Sequence, residues 1–124
     1  MTSTMSKQEV LSSTLAALRA NLPELKGVLV ATADGLPMAQ SMNAGTDANR
    51  VAAMAATALG LGKRIGDTVG NGVLTEMSVS GTDGQVFFYA AGRGVLAVVA
   101  PAGMNLGLLL MEARDAAANI ATVL

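Results

Sequence analysis

The stretch GVLVATADGLPMAQS, Gly27 to Ser41, decides how this chain is organised. Val28, Leu29, Val30 and Ala31 form a continuous apolar run, as in a strand covered on both faces, so Leu25–Thr32 reads as a buried strand. Ala33-Asp34-Gly35 reads as a turn, because Asp-Gly favours the positive-φ geometry of tight hairpins. Leu36–Ser41 is then the return strand. Pro37 carries no amide proton, which places this second strand at a sheet edge.

Upstream of the hairpin lies a helix signature. Ser6 and Glu9 make an S-x-x-E capping box, and Met5 and Val10 can staple across it. Leu11, Leu15, Leu18 and Leu22 recur at helical spacing, and Pro23 stops the helix. Residues 1–5 precede the cap and are expected to be flexible.

Downstream, Asn43–Thr46 reads as a loop, and Thr46 or Asp47 caps a long helix reaching about Thr68. Its bulkier positions, Val51, Met54, Ala55, Ala58, Leu59, Ile65 and Val69, are expected to face the sheet. A second stripe, Ala52, Ala56 and Gly60, has no large side chain. Gly62, Gly66, Gly70 and Gly72 loosen the helix end. Three strands follow as a meander: Val73–Ser80, Gln85–Ala91 and Val95–Ala100. Their connections carry Asp83, Gly84, Gly92 and Gly94, and like Asp34 and Gly35 these are assigned to turn structure. Val73–Ser80 alternates, with Glu76, Ser78 and Ser80 on one face, and is the second edge. Asn105 caps a last helix with Leu106, Leu109, Leu110, Ala113, Ala117, Ile120 and Leu124 on its apolar face. The order αββαβββα predicts an α+β sandwich: one five-stranded antiparallel sheet with helices on both faces.

At 124 residues the chain has the size of one domain, residues 1–124, without repeats or linkers. Charged residues are 14%, against roughly 25% in ordinary domains, and the net charge is −1. That balance excludes a strongly basic nucleic-acid binder. The uncharged run Gly94–Met111 is interrupted by Pro101, Gly103 and Asn105. It therefore reads as strand, turn and helix rather than a membrane span.

With no His and no Cys, a Ser-His-Asp or Cys-His nucleophile and a structural zinc site are excluded. Thr57 stands where a phosphate-binding loop ending at Gly62-Lys63 would need its first Gly, and Arg64 replaces the Ser or Thr. No catalytic, cofactor or metal residue is assigned. Arg93, on a Gly-Arg-Gly turn, reads as a solvated turn residue. Glu76, inside an apolar edge strand, has two readings: a charge that blocks random pairing, or a polar contact within a specific strand interface.

The Ala52-Ala56-Gly60 stripe is the strongest physical lead: small residues four apart let another backbone approach closely, either an element of the same chain or a partner's helix. A surface helix with two non-polar faces suggests that a partner covers one of them. A two-fold pairing of identical helices is the commonest solution, and the edge strand can pair with its own copy at the same time. The expected dimer surface is Ala52, Ala56, Leu59 and Gly60 of the helix, with Val73, Thr75, Glu76, Met77, Ser78 and Val79 of the edge strand.

Gly27–Ser41, the Ala-rich helix, the three-strand meander and the closing NLGLLLMEAR segment, Asn105–Arg114, resemble the roadblock/dynein-light-chain family over nearly the whole chain. The resemblance implies a profilin-like, non-enzymatic domain that dimerises through its third strand and second helix. It implies partners among Ras-like small GTPases or other roadblock-type subunits; with the charge balance above, no nucleic-acid partner is expected, and the expected location is cytoplasmic. The free-standing bacterial type is the most similar. A structural adaptor of the dynein-light-chain kind is the alternative, and a small-ligand sensor a lesser one.

Overall fold

The computed structural model describes residues 5–124; the flexibility expected at the N-terminus falls, for residues 1–4, outside the described residues. The elements are α1 (Lys7–Asn21), β1 (Gly27–Thr32), β2 (Pro37–Met42), α2 (Ala48–Val69), β3 (Glu76–Gly81), β4 (Gly84–Ala91), β5 (Gly94–Pro101) and α3 (Leu106–Ala121). The sheet runs β2-β1-β5-β4-β3 with every neighbour antiparallel. β2 and β3 are the edges, as Pro37 and the alternating Glu76–Ser80 pattern predict.

Each helix starts where its cap dictates. Ser6 Oγ accepts from the Glu9 amide at 3.1 Å, and the Glu9 carboxylate accepts from the Ser6 amide at 3.2 Å. These two bonds satisfy otherwise orphaned donors, and the Ser6 amide, then the Ser6 hydroxyl, hold the Glu9 carboxyl below its ordinary range. Asp47 caps α2 and Asn105 caps α3.

The period of two along the strands divides the core into two layers. Val28, Val30, Leu96, Val98, Phe87 and Tyr89 meet α1 and α3 on one face. Leu29, Ala31, Val95, Ala97 and Phe88 meet α2 on the other. One face is thus covered by two helices and the other by one. The Arg19 side chain ties α1 to the first hairpin through the carbonyls of Ser41 and Leu25 and the side chain of Asn43. Thr14 and Asn119 join α1 to α3 at 2.7 Å.

The hairpin turn is built as its sequence demands. The Gly35 amide donates to the Thr32 carbonyl at 3.0 Å with φ at 86°, a conformation that favours glycine. Met38 is the extra residue of a bulge: Val30 faces Ala39 while Ala31 faces Pro37. At Gly84 a side chain would collide with the Ala100 carbonyl of β5, so the strands approach there only without one. Asp34, Asp83 and Gly92 stand in the connections, and Gly94 opens β5.

Two expectations are corrected. β3 begins at Glu76, not Val73. Val73 is 90% exposed and Thr75 lies ahead of the strand, although its carbonyl still accepts from the Ala90 amide at 3.0 Å. α2 is also rotated from its expected orientation: Ala55 and Leu59 face the sheet as expected, but Ala52 joins them, while Met54, Ile65 and Val69 are exposed. Ala52, Ala55, Leu59 and Gly62 lie against the sheet, so Ala52 and Leu59 are core residues rather than a partner surface. Small side chains let the helix axis settle close over a floor already filled by Leu29 and Phe88. Gly62 shows the fit, since a methyl group there would stand 2.9 Å from Leu74 Cδ2 and 3.0 Å from Met77 Sδ.

Candidate interaction surface

With Ala52, Ala55, Leu59 and Gly62 against the sheet, the other large residues of α2 lie on a flank. Met54, Leu61, Ile65 and Val69 are 55%, 48%, 53% and 60% exposed. Their spacing of seven, four and four keeps them on one side of the helix. Val51 and Ala58, half-buried, continue the stripe down to the sheet.

The sheet beside this flank is open. Val79 of β3, Val86 of β4 and Val99 of β5 stand in one register row on the α2 side. Val79 is exposed, and Val86 and Val99 are half-buried. A cavity of about 240 Å³ sits between this row and α2, lined mainly by Met42, Val51, Met54, Val86, Phe88 and Val99. The C-terminal half of α2 covers Leu74, just ahead of β3, and Met77 near its start, leaving the far end of β3 and the adjoining end of β4 uncovered. Flank and floor together make one apolar concavity.

The concavity ends at the free edge of β3. Thr75 bonds to Ala90, and antiparallel partners alternate between hydrogen-bonded and non-bonded pairs. Met77, Val79 and Gly81 therefore bond to β4, while the amides and carbonyls of Glu76, Ser78 and Ser80 point away from the sheet.

On the opposite face the same edge is polar. Arg114 of α3 places Nε and Nη2 on Glu76 Oε1 at 3.1 and 2.7 Å. Tyr89, opposite Glu76 in register, lines a groove with both of them and with the alanines of α3. Its hydroxyl is buried without a hydrogen-bond partner. Burial first, then the Glu76 charge, pushes the phenol up to about 12.

Of the residues expected at a dimer surface, Glu76, Met77, Ser78 and Val79 sit together on the open edge, and Val73 and Thr75 precede it. Ala56 is half-buried, and Gly60 is exposed with open space around it. Met54, Leu61, Ile65, Val69, Val86, Tyr89 and Arg114 were not anticipated as surface features. The spacing of Met54, Leu61 and Ile65 carries the signal, but Met54, Ile65 and Val69 read as sheet-facing from the sequence and Leu61 does not stand out. Arg93 lines a cleft with Lys7 and Asp34. Among the described residues, no group of three or more acidic, His or Cys side chains is placed to hold a metal. No described helix is long and apolar enough to cross a membrane.

The family model described as Roadblock/LC7 domain matches residues 11–100. An uncharacterized protein of Methanocaldococcus jannaschii is 35% identical over 96 residues, 77% of this chain and 84% of its own length. Among solved structures, MglB of Myxococcus xanthus superposes with a TM-score of 0.87 at 14% identity, over 99% of this chain and 93% of that one. A Roadblock/LC7 domain from Streptomyces avermitilis gives 0.83 at 21% identity, over 90% and 94%. At these identities the structures share the fold.

Proposed function

The chain belongs to the Roadblock/LC7 family, and from that premise we propose that it is a homodimeric, non-catalytic interaction domain of the cytoplasm that binds and regulates a Ras-like small GTPase. The observation that carries the reading is the apolar concavity beside the open β3 edge. Antiparallel pairing of two β3 strands about a two-fold axis perpendicular to the sheet continues the sheet through both copies. The covered end of one sheet then lies next to the uncovered end of the other. Leu61, Ile65 and Val69 of each copy come over the Val79–Val86–Val99 row of its mate. One contact removes a free edge, fills the cavity and buries the α2 flank.

This arrangement leaves the α1/α3 face of each copy free for a further partner, a small GTPase or another roadblock-type subunit. Light scattering tests the dimer. Affinity capture from lysate of the source organism tests the partner, run once with excess GDP and once with a non-hydrolysable GTP analogue. A small GTPase enriched in one condition alone supports a nucleotide-linked regulator. Partners identical in both, or including no GTPase, move the reading to a structural adaptor.

A further inference from the structure

We propose that the two β3 strands pair with Ser78 opposite Ser78 on the two-fold axis, and that Glu76 of each copy selects this register by accepting a hydrogen bond from Ser80 of the other. The proposal rests on the dimer reading above and deepens it.

The backbone narrows the choice. Only Glu76, Ser78 and Ser80 present free amides and carbonyls, so pairing must match these residues to one another. With Ser78 on the axis, three hydrogen-bonded pairs close: Glu76 with Ser80, Ser78 with Ser78, and Ser80 with Glu76. With Met77 on the axis only Glu76 and Ser78 pair, reciprocally. With Val79 on the axis only Ser78 and Ser80 pair, and Glu76 meets the turn at Thr82. With Glu76 on the axis two like charges stand opposite each other.

The side chains favour the same register. On the α2 face it sets Met77 opposite Val79 twice, apolar against apolar. On the other face it sets Glu76 opposite Ser80. Both bonds from Arg114 end on Glu76 Oε1, which leaves Oε2 to accept. Ser80 Oγ accepts from Gln85 Nε2 at 2.8 Å, which leaves its own proton to donate. A free acceptor and a free donor thus meet at directly opposed positions.

Arg114 makes this possible. A bare carboxylate on an edge strand discourages pairing. Held by the guanidinium, Glu76 becomes an acceptor that two strands can share, which decides between the two readings of this residue.

The chain has no cysteine, so single cysteines report the register directly. Ser78→Cys, Met77→Cys and Val79→Cys are each reduced, checked for dimer by light scattering, then oxidised mildly and run without reductant. A residue on the axis lies within disulfide reach of its copy, whereas one displaced diagonally is about 7–8 Å away and is not. Ser78→Cys cross-linking at least tenfold faster than the others is the expected result. Faster trapping of Met77→Cys or Val79→Cys overturns the register. A dimer that none of the three traps overturns the Ser78 register, and a monomer throughout overturns the dimer reading itself. Separately, Arg114→Ala weakens the dimer by roughly tenfold, as two symmetric cross-strand contacts are lost. The double variant Glu76→Gln/Arg114→Ala recovers it. If Arg114→Ala leaves dimer affinity unchanged, or the double variant stays as weak as the single, the role given to the ion pair fails.

Discussion

Tyr89 stands directly opposite Glu76 in the β3–β4 register, yet its buried hydroxyl bonds to nothing while Glu76 spends one oxygen on Arg114. The phenol is raised from 10.0 to about 12, first by burial and then by the Glu76 charge. A group whose folded pKa exceeds its unfolded value adds stability that is complete below the unfolded pKa. That contribution is lost as pH rises through the folded one, here between 10.0 and about 12. Tyr89→Phe keeps the ring and removes the unpaired hydroxyl. Chemical denaturation at neutral pH shows it no less stable than the parent, and the Tyr89 component of the alkaline loss disappears.

The rotation of α2 gives a paired test. Leu59→Ala empties a core position and lowers unfolding free energy by about 2–4 kcal/mol. Ile65→Glu changes an exposed residue and alters monomer stability by no more than about 0.5 kcal/mol. In the proposed dimer the same substitution places a charge over the mate's valine row, so light scattering finds a monomer. A dimeric Ile65→Glu removes the flank from the interface.

Gly60 separates the two helix faces more sharply. It is exposed, mid-helix, and a methyl group there meets nothing within 4 Å. Gly60→Ala therefore raises stability by about 0.5–1 kcal/mol by restricting the unfolded chain, and dimer affinity is unchanged. A weakened dimer would restore the small-residue seam that the sequence first suggested.

The α1 cap predicts an acid response. Ser6→Ala costs about 1 kcal/mol. The Glu9 carboxyl is lowered from 4.5 by the Ser6 amide and then the Ser6 hydroxyl. Its stabilisation is present above that ordinary value and is lost as pH falls through the lower folded one. Glu9→Gln flattens this acid component in denaturation curves taken from neutral pH downward. An unchanged profile would show that the cap bond is not formed in solution.

Much of the fold was legible locally. Pro37 and the Asp34-Gly35 turn located the first hairpin and its edge, and Ser6, the Thr46-Asp47 pair and Asn105 marked the starts of the helices. Such signals act over one turn of helix or one hairpin, so neighbouring residues suffice to read them. The interaction surface was legible only in part. Glu76 to Val79 was recognisable as an unusual edge, but β3 starts later than its β-like residues do, because Leu74 is drawn under α2 instead.

The sequence alone determined the order of elements, both sheet edges and the presence of two non-polar faces on α2. Periodicity counts faces but does not say which one goes down. That depended on the height of the floor made by Leu29 and Phe88, which only a helix faced with Ala52, Ala55 and Gly62 can approach closely. The Glu76–Arg114 pair likewise joins residues 38 positions apart. Only the packing of α3 against β4 brings them together, so tertiary structure decided both the exposed apolar flank and the neutralised edge.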